Sequence, residues 1–549
     1  MIFRVFRNGK VIRNRFVQIP VVKLSVVVSF ICTLVILGVS NKSYGEGTKE
    51  VSPNSTSLTG LYIDPNLNYG SYLACPQDNR IYFRINDFTI ERLYFGFMFT
   101  SYGNSGNQSL QTDMYYRIYN SSGVQLVGPL LVYSSTNSGS TGFIANYAQA
   151  TTGPNIGGIT TGYNPNTFTP MANGDYWIEI YRSRDGGTTM STSQERNAPF
   201  WDLTVATTTG LKKNGRVHSD KWGFTATDPL DYFVGRSSNS EAVTYCYTND
   251  KVVLKLAFGS GFRPMAFNLA MNDYGVASTG NWLNDRRSVT VTSGIAPTLS
   301  NGFMTFLNIP DVSCYPVSGP STSPSLPNPA ILKRGNNYLL KFIAPQTGDY
   351  ILLFDFNGND GAYTSGTTDI WKEMPGLTTG VNTFLWDGKD GLGNVVPKTQ
   401  TINLIVFFRK GRVNVPLYDV ELNMGGISIA AVSPDNVPNA RLYWDDSALT
   451  SYYGNGNPDL NNTTGAGINN SITGQVSPGH AWDGDGNTAM AVPVSSSSGG
   501  HNTSGSAGDD FGNIRTINTW AWGVELKAPL NTQLSTVDLS GTLWHDANK

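Results

Sequence analysis

Phe384-Leu385-Trp386-Asp387-Gly388-Lys389-Asp390-Gly391-Leu392-Gly393-Asn394-Val395-Val396-Pro397 is the stretch whose reading decides the fold. An aromatic strand end, Phe384 and Trp386, runs directly into a turn. There Gly388, Gly391 and Gly393 supply positive φ, while Asp387, Asp390 and Asn394 hydrogen-bond their own backbone. A second strand is expected to leave at Val395. Strands joined by tight Gly/Asx turns are the mark of antiparallel β-structure, and the rest of the chain repeats the pattern.

The composition agrees. Among 549 residues there are 59 Gly and 28 Pro, aromatic residues make up 12%, and charged residues only 14%, against about 25% in an average globular protein. Many short strands separated by turns are expected, and the fold class is all-β: tandem β-sandwich modules, Ig-like by the resemblance given below, after an N-terminal signal segment. Residues 1–45 carry that segment. A basic region (Arg4, Arg7, Lys10, Arg13, Arg15, Lys23) leads into the apolar run 24–39, and Ser43-Tyr44-Gly45 offers small residues for cleavage after Gly45. The alternative is an uncleaved anchor, the one contact with a membrane that the sequence offers. Seven of the 38 Lys and Arg lie in this segment and none of the 40 Asp and Glu, so the remainder holds 31 basic and 40 acidic residues, a net charge of −9. That balance speaks against a nucleic-acid partner. The location expected is outside the cytoplasm: exported, at the cell surface, associated with the outer membrane or extracellular.

Working outward from the quoted stretch, residues 46–210 read as a first β-sandwich, with strands over 80–86, 91–101, 113–120, 124–133, 175–182 and 200–206. In 175–182, Tyr176, Ile178 and Ile180 alternate with Trp177, Glu179 and Tyr181, as in a strand covered unequally on its two faces. Residues 211–330 read as a second sandwich ending in a Pro/Ser-rich linker, 331–432 as an Ig-like unit around the quoted hairpin, and 433–534 as an irregular Gly/Asn/Ser-rich β region. Residues 535–549 are the opening of a further module. Of the cysteines beyond the signal segment, Cys246 and Cys314 fall in one expected unit and form the better disulfide pair; buried thiols are the alternative.

The order W-D-G-x-D-x-x-G-N-x-V-P resembles the hairpin of the Ig-like domain of flagellar hook-capping proteins, which recurs in large secreted surface proteins of gliding bacteria. Leu539-Ser540-Gly541-Thr542-Leu543-Trp544-His545-Asp546-Ala547-Asn548 resembles the start of a collagen-adhesin B-type module. These resemblances imply a non-enzymatic structural or adhesive cell-surface protein, exported by a type IX secretion-like route and linked to gliding motility and cell adhesion. Its partner would be an extracellular protein or glycan.

No local catalytic or metal motif is present: no H-E-x-x-H, no G-x-S-x-G elbow, no P-loop, no dinucleotide fingerprint. The one enzymatic alternative is a glycoside hydrolase, which needs two carboxyls across a sugar and aromatic platforms. Asp445, Asp446, Asp483 and Asp485, near Trp444 and Trp482, would supply them. Turn chemistry is the plainer reading. The hard oxygen ligands of Asp387, Asp390 and Asn394, and of Asp483, Asp485 and Asn487, suit Ca²⁺, although Asx turns alone explain both loops. Trp520 and Trp522 stand two apart and so share one face of a strand. They are expected either to stack on sugar rings or to pack in the core.

Overall fold

Two strands, Thr401–Tyr418 and Arg515–Gln533, pair antiparallel in one unbroken register from Thr401 opposite Gln533 to Tyr418 opposite Thr516. Eighteen and nineteen residues at about 3.3 Å each make a ribbon about 60 Å long. The computed structural model describes residues 45–52, 54–55, 58–63, 80–101, 109–191, 196–225, 240, 242–262, 264, 266–290, 302–364, 366–418, 420, 423, 425–448, 474–482 and 515–534. Among these the helices are three and short, Thr48–Val51, Tyr147–Thr152 and Trp282–Arg286. No helix of the described residues is long and apolar enough to cross a membrane.

The strands form antiparallel sheets of fourteen, nine and three strands. The ribbon belongs to the largest, and two sandwiches are built on it. In the first, the nine-stranded sheet brings Phe83, Ile178, Cys246 and Leu254 against Phe95, Trp201, Trp222 and Leu417 of the large sheet. Trp222, fully buried, donates its indole N–H to the Thr305 carbonyl at 2.9 Å across that core. In the second, the three-stranded sheet of Ile331–Arg334, Asn337–Ala344 and Gly380–Trp386 packs Leu340, Phe342 and Trp386 against Leu352, Phe354, Leu404 and Phe408.

The chain is therefore all-β and sandwich-built, but its sheets do not divide at 210, 330 and 432. Val217–Ser219 pairs with Ile81–Ile85, and Lys221–Thr225 with Gly60–Ile63. Val253–Phe258 pairs with Ile427–Ser433, and Ala266–Ala270 with the ribbon. The units expected at 46–210, 211–330 and 433–534 thus share one sandwich, and the Ig-like unit is inserted into it. The residues expected to begin a further module, 535–549, and the signal segment up to residue 44 lie outside the described residues.

One pair of glycines lets a single ribbon serve both cores. Inward-facing residues are Ile402, Leu404, Val406 and Phe408 before Gly411, but Val413, Val415 and Leu417 after it. The alternation shifts by one residue at Gly411, which holds φ +68°, a conformation costly to a residue with a Cβ. Gly523 lies across the ribbon between the pairs Lys410–Val524 and Arg412–Trp522. A Cβ there would stand 2.2 Å from Leu254 Cδ2, and one at Gly411 would stand 2.9 Å from Val252 Cγ1.

The quoted hairpin forms as a turn, though not between two long strands. Gly388 and Gly393 hold φ +80° and +86°, while Gly391 does not adopt positive φ. Trp386 is 4% exposed and donates its indole N–H to the Lys389 carbonyl at 2.8 Å. The expected second strand reduces to one bridge, Lys389 to Val395, because Gly380–Trp386 takes Asn337–Ala344 as its partner.

Candidate binding cleft

The phase shift at Gly411 also decides what faces outward. Before it the ribbon turns Phe407, Arg409, Glu525 and Lys527 to the outer face, and beyond it Trp520 and Trp522. Arg441–Trp444 lies beside the ribbon, with Tyr443 opposite Trp520. Ile370–Leu377 reaches the same face through Gly348–Asp355, since Trp371 and Ile405 both pair with Leu353. Together with Tyr363 these residues line a cleft of about 220 Å³.

Arg409 occupies the centre. Its side chain is 3% exposed, and its Nη2 lies 2.6 Å from Glu525 Oε2 and donates to the Tyr443 hydroxyl at 2.7 Å. The guanidinium stands 4.2, 5.2 and 5.3 Å from the ring centres of Trp522, Trp371 and Tyr443. That is a cation–π cage filled by the chain's own cation. Burial pushes the Tyr443 hydroxyl up to about 12 despite the opposing field of Arg409. On the other side, fully buried Arg286 lies 5.6 and 5.8 Å from the rings of Trp520 and Trp522. Burial, then the neighbouring Arg412, push its guanidinium down from the usual range.

Trp520 and Trp522, at 8% and 7% exposure, pack into the buried cluster of the first core and form the floor of the cleft, not an open platform. The accessible rings are Trp371 and Tyr363, half-buried and 5.6 Å apart at 37°. Phe407 supports Trp371 from below at 5.8 Å, and Glu373 accepts the Trp371 indole N–H at 3.4 Å. A second cleft of about 380 Å³ shares Arg409 and Trp522 with the first. There Arg412 pairs with Asp273 at 2.6 Å and approaches Asp349 at 3.6 Å.

The carboxylates offered for hydrolysis are tied down. Asp445 accepts from Arg287 Nε at 2.9 Å and from Ser447. Burial alone would raise its pKa, but the Ser447 bonds and Arg287 outweigh that and hold it below the usual carboxyl range. Such a group stays ionised, where a general acid must hold a proton. Asp446 accepts from Ser288 Oγ at 2.7 Å and meets His480 Nε2 at 2.9 Å, while His480 Nδ1 meets Thr519 Oγ1 at 2.7 Å. This Asp–His–Thr line resembles a nucleophile relay, but Thr519 is fully buried. It fastens three segments together, with the His480 ring stacked 4.7 Å from Trp444.

The remaining sequence expectations separate. Asp387 accepts from the Lys389 N–H, and Asp390 from the N–H groups of Leu392 and Asn394, so both act as turn acceptors. No group of three or more His, Cys, Asp or Glu set for a metal occurs among the described residues. Asp483, Asp485 and Asn487 lie outside them. The pairing of Cys246 with Cys314 is not formed: both are free thiols, Cys246 inside the first core and Cys314 accepting from Asn86 Nδ2 at 3.1 Å. The sequence reading missed Arg409, Trp371, Tyr363 and Tyr443. The aromatics at 520 and 522 and the carboxylate of Asp445 were the sequence features that pointed to this face.

No protein-family model, curated protein or solved structure matches the chain.

Proposed function

We infer that the chain is a non-enzymatic, exported cell-surface protein with a structural and adhesive role, presenting the cleft on a rigid scaffold. The observation that carries this is the ribbon. One unbroken register runs through both sandwiches, so they move as one body, as a surface stalk or adhesin needs. The hairpin Trp386–Pro397 and the residues from Leu539 support the kinship with surface proteins of gliding bacteria, and with it a type IX-like route. The hydrolase reading is weaker, because Asp445 is charge-paired and Asp446 is held by His480. Protease treatment and antibody labelling of intact cells test the location. Digestion and labelling without lysis are expected, and a chain protected until lysis sinks the reading.

A further inference from the structure

We propose that the cleft beside Arg409 binds an uncharged oligosaccharide, with Trp371 and Tyr363 as the stacking platform. The inference rests on the cleft being the adhesive site, and names what it takes.

Charge comes first. The lining holds Arg409, Arg441 and Lys527 against Glu373, Asp445 and Glu525, equal in number. Arg409 is neutralised by Glu525 at 2.6 Å and Asp445 by Arg287 at 2.9 Å. With Arg287 counted, the cleft carries one positive charge in excess, too little to grip a polyanion and of the wrong sign for a polycation. A quaternary or methylated ammonium, the usual guest of an aromatic cage, is also excluded. Arg409 already fills the space among Trp371, Tyr443 and Trp522.

What remains is a surface of rings edged with donors and acceptors, which matches the apolar faces and equatorial hydroxyls of a pyranose. Trp371 is presented for this. Phe407 backs one side of its indole, Glu373 fixes its N–H, and the ring stays half-exposed beside Tyr363. At about 220 Å³ the cleft is smaller than the about 300–1,000 Å³ of a drug-sized site, so it takes one ring of a chain. The 380 Å³ cleft lies next to it, with Arg409 and Trp522 lining both, and neighbouring units of a bound chain would extend toward it. The ligand is therefore a polymer segment and not a monosaccharide.

Titration calorimetry of the intact protein with neutral hexasaccharides (β-1,4-glucan, β-1,4-xylan, α-1,4-glucan and chitin series), and with heparin and polygalacturonate as anionic probes, tests this. At least one neutral hexasaccharide is expected to bind, with affinity falling about tenfold or more in Trp371→Ala, measured at a temperature where circular dichroism shows both proteins folded. Tyr363→Ala should weaken binding in the same direction, because it removes the second ring of the platform. Binding of the anionic probes alone, neutral binding indifferent to Trp371→Ala and Tyr363→Ala, or no saccharide binding overturns the proposal. If surface digestion still shows the chain outside the cell, the adhesive reading survives that failure and its ligand becomes a protein.

Discussion

Arg409 and Trp522 sit 4.2 Å apart, guanidinium over indole, at the point where both clefts meet. They are separated by 113 residues in sequence, yet the ribbon sets them side by side on one face. The contact joins a cation–π term to an ion pair with Glu525, whose side chain is 26% exposed. Arg409→Ala should destabilise the protein by an amount between the about 1 kcal/mol of an exposed pair and the about 3–5 kcal/mol of a buried one. Arg409→Lys should recover only part of this, because an ammonium lacks the planar fork that meets Glu525 and Tyr443 together. Thermal melts of the two variants check it, and equal midpoints for Lys and wild type would remove the geometric role.

Gly411→Val should cost at least about 1 kcal/mol through forced positive φ. Gly523→Val, whose Cβ meets Leu254, adds overpacking of about 1–3 kcal/mol. Chemical denaturation midpoints measure both. A Val tolerated at either site would mean that the alternation changes phase elsewhere.

Two buried carboxyls, Glu50 and Asp202, carry a pH dependence. Burial pushes Glu50 up to about 8 and Asp202 up to about 6, against about 4 in the unfolded chain. The folded state binds more protons in between, so this contribution is fully present below about pH 4 and is lost as pH rises through 6 and 8. The lowered carboxyls, among them Asp113 and Asp445, act in the opposite sense at lower pH, leaving the window above pH 5 clear. The melting temperature should fall from pH 5 to 8.5, and fall less in Glu50→Gln/Asp202→Asn. Parallel profiles for the two proteins would contradict the assignment.

The hairpin gives two contrasting outcomes. Trp386→Ala, a large truncation in the second core, should cost about 3–5 kcal/mol. Asp390→Ala should lower the melting temperature slightly and equally in Ca²⁺ and in chelator, because the carboxylate serves the N–H groups of Leu392 and Asn394. A drop seen only in Ca²⁺ would restore a metal role to this loop.

Local chemistry was legible in the sequence, and long-range partnership was not. The turn at Gly388 and Gly393, the buried indole of Trp386 and the shared face of Trp520 and Trp522 follow from neighbours within a few residues. That Trp520 and Trp522 end as a floor between two guanidiniums depends on Arg286 and Arg409, each more than a hundred residues away. Shared unit membership made Cys246 and Cys314 look like partners. Strand pairing instead buries one in a sheet and leaves the other beside Asn86. Period-2 patterning says that a strand has a face to cover, but not which strand covers it.

The insertion of one sandwich into the other bears on how the chain is made. Asn268 pairs with Tyr418, 150 residues later, and Arg515–Gln533 emerges later still. At about 5–20 residues per second, synthesis leaves the edge of Ala266–Ala270 waiting about 8–30 s for its partner. The inserted sandwich waits as well, since Thr401–Tyr418 meets its second ribbon strand only after residue 515. Neither sandwich has its full set of strands until residue 533 has been made, so the two are completed together and not one after the other as the chain leaves the ribosome.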